Sequence, residues 1–133
     1  MSAGTKSFTH MDDKINMDLK DRAKRHRNIA DDSGSIAIDE KRIGNTVSAF
    51  AREWNARFHY NRAASLFMRV AMNTTDGSDK TAILCQRKDV IVALAKLLRD
   101  MDKSKEAEKK LIEIGINSDA IAHILRKETT ETV

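Results

Sequence analysis

The stretch KRIGNTVSAFAREWNARFHYNRAASLFMRV, residues 41–70, decides how this chain is read. It holds six Lys and Arg against one acid, Glu53. Ile43, Val47, Phe50, Ala51, Trp54 and Phe58 recur at the intervals of an amphipathic helix. With Ile43 set to zero and 100° per residue, this set centres near roughly 30°, whereas Tyr60, Ala63, Phe67, Val70 and Ala71 centre near roughly 240°. One straight helix carrying both sets would bury opposite sides in its two halves. The spacing therefore predicts either a second subunit against one face or a break near residues 56–60, and the break is the simpler solution. Helix, short turn and second helix is the arrangement of a helix-turn-helix. Ala51 supplies the small residue such motifs want, and Asn55 replaces the usual turn glycine with a residue that tolerates a left-handed backbone.

In the second half, Asn61, Arg62, Ser65, Arg69 and Asn73 form a polar stripe with no acidic residue in it. Arg can fork onto guanine or phosphate, Asn onto adenine, and Ser onto phosphate oxygens. The expected arrangement places Asn61, Arg62, Ser65 and Arg69 toward a major groove. Lys41, Arg42, Asn45, Arg52 and Arg57 complete the DNA-binding set, the cations as phosphate contacts that position the protein. The same stripe also fits a helix face turned to water.

The formal net charge is only +4, but residues 41–72 hold it all. A secondary basic patch, Lys20, Arg22, Lys24, Arg25 and Arg27 against Asp21, is bracketed by aspartate pairs at 12/13 and 31/32. Clusters of this kind are footprints of polyanion binding, with a solvated helix face as the alternative.

Length and composition frame these segments. A chain of 133 residues suits one small domain. It has no proline, five glycines and abundant helix formers, so the expected class is all-α: a compact bundle of four or five helices. Residues 1–12 read as disordered and 13–30 as a charged helix with Ile15, Leu19 and Ala23 on a narrow stripe. DDSGS, 31–35, reads as a linker and NTTDGSD, 73–79, as a loop. A core helix over about 79–102 carries Ile83, Leu84, Val90, Ile91, Leu94, Leu97, Leu98 and Met101. Ser104 can cap the next helix, Gly115 can end it, and Asn117 or Ser118 can cap a last helix to about Lys127. The segment 13–128 is thus one helical domain, with 129–133 a flexible tail. Phe50, Trp54, Phe58 and Phe67 are expected in the core rather than as a base-stacking platform.

Residues 42–55, RIGNTVSAFAREWN, resemble the Arg-Ile-Gly-Asn, then Ala-Arg, then Asn pattern of accessory proteins of plasmid mobilisation. Arg42, Ile43, Gly44, Asn45, Ala51, Arg52 and Asn55 carry the likeness, while Thr46, Ser48 and Ala49 depart from the family's Asn-rich run. The resemblance implies binding to transfer-origin DNA and contact with a relaxase.

Chemistry of other kinds has little to build on. His10, His26, His59 and His123 are scattered, and none stands at metal-ligand spacing from a Cys or carboxylate, so no metal or cofactor is expected. The lone cysteine, Cys85, reads as a small core residue and can form no internal disulfide. A polar start and the lack of an 18-residue apolar run predict a cytoplasmic protein without a membrane segment. The expectation is a non-enzymatic accessory or regulatory protein on double-stranded DNA, a homodimer, and part of a larger assembly such as one with a relaxase. The rival is a helical adaptor or inhibitor of phage or plasmid type that binds protein alone.

Overall fold

The computed structural model describes residues 3–126, with side chains from residue 13 onward. Five helices follow in order: α1 (Ala3–Arg42), α2 (Thr46–Met72), α3 (Gly77–Asp100), α4 (Ser104–Glu113) and α5 (Ser118–Ile124). No strand occurs among the described residues, and the all-α class holds.

The hairpin of α1 and α2 is the framework. Its turn is made by RIGN: Gly44 takes φ +85°, its N–H donates to Lys41 O, and the Asn45 N–H reaches back to Glu40 O at 2.9 Å. That pair of bonds satisfies the last carbonyls of α1, and glycine adopts the required left-handed conformation without a Cβ penalty. Gly115 ends α4 in the same way. The two long helices run antiparallel, since Asn16 meets Asn73, His26 meets His59, and Ser33 meets Asn55.

Helix α1 continues through residues 31–35, where a linker was expected. The small residues there serve close packing rather than a break. Ser33 is buried and accepts from Asn55 Nδ2 at 2.6 Å, and a Cβ on Gly34 would lie 3.5 Å from Leu97 and 3.8 Å from Ala56. Ala23, Ala30 and Ala37, one heptad apart, have no exposed surface and line the seam against α2. A glycine inside a helix costs about 1 kcal/mol relative to alanine, which packing of this closeness offsets. The same helix includes residues 3–12, expected to be disordered. The tail 129–133 lies outside the described residues.

The break expected near residues 56–60 is absent, and with it the helix-turn-helix. One face of α2 is buried along its whole length: Ala49, Glu53, Ala56, Tyr60, Ala63, Phe67 and Val70, at alternating spacings of four and three. Three of these seven residues are alanine and one is a glutamate, so a count of bulky apolar residues misses the first turns of the face.

Helix α3 lies on the hairpin, with Val90, Leu94 and Leu98 fully or almost fully buried, and Leu84 facing solvent. Asp76 caps it by accepting from the Asp79 N–H at 2.9 Å. Cys85 is exposed rather than in the core, because it sits roughly 200° around α3 from Ile83. Lys103, not Ser104, is the N-cap of α4, without a side-chain bond, whereas Asn117 caps α5 as expected. Leu111 and Ile121 bury α4 and α5, and the Arg99 guanidinium donates to the Ile124 and Arg126 carbonyls. No described helix is long and apolar enough to cross a membrane.

Candidate nucleic-acid interface

The expected DNA-contacting residues divide into three groups in the fold. The first is already engaged. Arg57 is buried: Nη1 donates to Glu53 Oε2 at 3.0 Å, Nη2 to Glu106 Oε1 at 2.8 Å, and the guanidinium stacks 4.0 Å over the Trp54 ring. Lys103 closes the network on Glu53 at 2.5 Å. Arg57 is therefore a structural cation rather than a phosphate contact. Lys41 pairs with Asp102 at 2.8 Å, Arg42 lies 3.7 Å from Asp39, and Asn45 donates to Glu40 at 2.7 Å. Lys41 and Arg42 close α1 and Asn45 lies in the turn that follows, whose Gly44 and Asn45 backbone bonds give RIGN a structural explanation.

The second group, Asn61 and Ser65, lines an open cleft against Arg87 of α3 and Lys110 and Glu113 of α4. Arg62 and Arg69 do not line that cleft. Asn73, at its end, bonds Asn16.

The third group is free of ion pairs among the described residues and comprises Arg52, Arg62 and Arg69, all exposed. Here the fold adds what the sequence did not show. The two basic segments, which are far apart in the chain, meet across the α1–α2 seam. His26 and His59 stack with centroids 5.1 Å apart and Nδ1 atoms 2.8 Å apart, so one imidazole donates and the other accepts. Burial, then the neighbouring His59, Arg62, Arg22 and Arg25, hold the His26 imidazole below its ordinary range. Arg22 also lines a shallow cleft with Arg69, Lys14, Asp18 and Asp21. The face thus carries Lys14, Arg22, Arg25, Arg62 and Arg69 against two carboxylates. Arg62 and Arg69 are two turns apart, about 10 Å along α2, and α1 lies about 10 Å away, so the patch spans the separation of several neighbouring phosphates.

The rest of the secondary patch disperses around α1. Arg27 pairs with Asp31 at 3.6 Å, Lys20 faces a cleft with Asp76 and Asp79, and Lys24 is exposed. Asp31 in turn accepts from the Tyr60 hydroxyl at 2.6 Å; burial and that bond push the phenol well above its ordinary range.

The aromatic residues correct the sequence reading most. Phe67 is buried, but Phe50, Trp54 and Phe58 are 59%, 46% and 62% exposed. Among the described residues no group of three or more His, Cys, Asp or Glu could hold a metal ion. No protein family, curated protein or solved structure matches the chain.

Proposed function

We propose that this chain is a non-enzymatic accessory protein that holds double-stranded DNA by its phosphates, through the α1/α2 face of Arg22, Arg25, Arg62 and Arg69. One observation supports the reading: two basic runs distant in sequence converge on one face whose arginines form no ion pair among the described residues, although Asp18 and Asp21 border it. Without a helix-turn-helix, the contacts are to the backbone, which fixes position and gives salt-sensitive affinity rather than base reading. Self-association is part of this proposal, since a dimer doubles a small patch. The RIGN resemblance adds plasmid mobilisation, and docking on a relaxase, as the setting proposed.

Fluorescence anisotropy with a labelled random duplex tests it. Four phosphate contacts give a salt slope near −3.6, so affinity falls roughly a hundredfold between about 50 and 200 mM salt. Replacing the four arginines by alanine should abolish most of that slope, whereas Arg42→Ala should leave it nearly unchanged. No duplex binding at low salt would overturn the reading in favour of the protein-binding adaptor, which the exposed aromatic stripe of α2 favours.

A further inference from the structure

Helix α2 has two apolar faces, and the fold uses one. Ala49, Ala56, Tyr60, Ala63, Phe67 and Val70 turn inward. Val47, Phe50, Trp54 and Phe58, at spacings of three, four and four, turn outward, with Val47 84% exposed and Ile43 of the preceding turn 73% exposed. The only tryptophan and two of the four phenylalanines of the chain thus stand in water while alanines fill the seam. Such a stripe, roughly 16 Å long from Val47 to Phe58, leaves on the order of 600 Å² of apolar side chain uncovered. That is the size of the largest patch expected on a monomer, which normally marks an interaction site.

The charges bordering the stripe bear on its occupant. Arg57 and Lys103 lie beside the Trp54 ring, but Glu53 and Glu106 neutralise them within the chain. The Trp54 edge therefore offers no net charge to draw an acidic or a basic partner. The stripe is, however, complementary to itself. In an antiparallel pairing with Trp54 at the two-fold axis, residue 54 + n of one copy faces 54 − n of the other. Phe50 then meets Phe58, Arg62 meets Thr46, and no arginine meets an arginine. Two stripes together bury about 1,200 Å², the lower end of what a specific interface requires, before flanking residues are counted. Ile29 and Ile36 on α1 are exposed as well.

We infer that α2 docks antiparallel on α2 of a second copy of this chain, with Trp54 on the two-fold axis. The inference identifies the surface of the proposed dimer and stands apart from DNA binding. If both hold, Arg62 and Arg69 lie 8 and 15 residues from the axis, so their symmetry mates are separated by roughly 24 and 45 Å along the helices. Those spans bracket the 34 Å helical turn of a duplex, the spacing at which two-fold proteins engage successive grooves.

The lone tryptophan makes the test direct. Sedimentation across a wide concentration range should show the mass doubling, with a blue shift of Trp54 emission over the same range. Phe58→Asp should remain monomeric at every concentration with unchanged helical circular dichroism. A Trp54→Cys chain that also carries Cys85→Ser should form a self-disulfide on mild oxidation. A monomer throughout, or a dimer that survives Phe58→Asp and yields no disulfide, overturns the inference. So does a monomer whose Trp54 emission is quenched by single-stranded oligonucleotide, which would make the stripe a base-stacking surface. A monomer that still binds duplex refutes only the dimer, and a dimer that ignores duplex refutes only the DNA reading.

Discussion

Arg57 separates the structural reading of the basic helix from the DNA-contact reading, and its replacement by alanine has a size that the geometry sets. The guanidinium is 11% exposed and bonds the 3% exposed Glu53 carboxylate at 3.0 Å and Glu106 at 2.8 Å. Removing one member of a buried ion pair costs about 3–5 kcal/mol, because the remaining charge is left desolvated. Two features place this case at the lower end. Glu53 keeps Lys103, and Glu106, whose side chain is 43% exposed, can rehydrate. The expected loss is therefore about 3 kcal/mol. With a urea m-value of about 2 kcal/mol/M, the midpoint falls by roughly 1.5 M. Arg57→Lys should fall between wild type and alanine, since an ammonium cannot fork onto both glutamates as the planar guanidinium does. Chemical denaturation followed by circular dichroism measures all three chains, with duplex affinity recorded at low salt. A loss under about 1 kcal/mol would mean a solvated pair of ordinary surface strength and refute the reasoning. Intact stability with a tenfold loss of duplex affinity would restore Arg57 to the DNA-contact set.

Gly34→Ala should raise stability by about 0.5–1 kcal/mol, a few degrees in Tm, because the new Cβ meets Leu97 and Ala56 at ordinary contact distance while the helix loses its glycine. A large side chain there, as in Gly34→Leu, should lower it, and thermal melts of both variants decide whether residues 31–35 are packed helix or a joint. His26 sets a pH dependence whose sign follows from its lowered pKa. Below the ordinary value of 6.5 the unfolded chain takes up the proton more readily than the native one, so the stabilisation is complete above that pH and is lost as pH falls. Urea midpoints between about pH 7.5 and 5 should decline, and His26→Gln should flatten the decline.

What was legible in the chain was what local rules control. The core helix expected over about 79–102, the Asn117 cap and the Gly115 helix end depend on neighbours a few positions away, and each falls close to where its residue types require. The errors share a different cause. Ser33 and Gly34 carry the composition of a linker, yet they are small because two helices close on them. Phe50, Trp54 and Phe58 carry the spacing of a core face, yet alanines occupy the core side of α2. Glu53 and Arg57 stand four residues apart, a signal of ion pairing that was present all along, but their burial depends on Glu106 and Lys103, about fifty positions away.

By itself the sequence determined the all-helical class, because helix propensity, missing prolines and capping residues act within a turn or two of the backbone. Only the tertiary structure decided which of α2's two apolar faces is buried, which arginines are consumed in ion pairs, and that Arg22 and Arg25 share a surface with Arg62. Periodicity states that residues share a side of a helix; the partner lying against that side is fixed by where α1 folds back across the Gly44 turn.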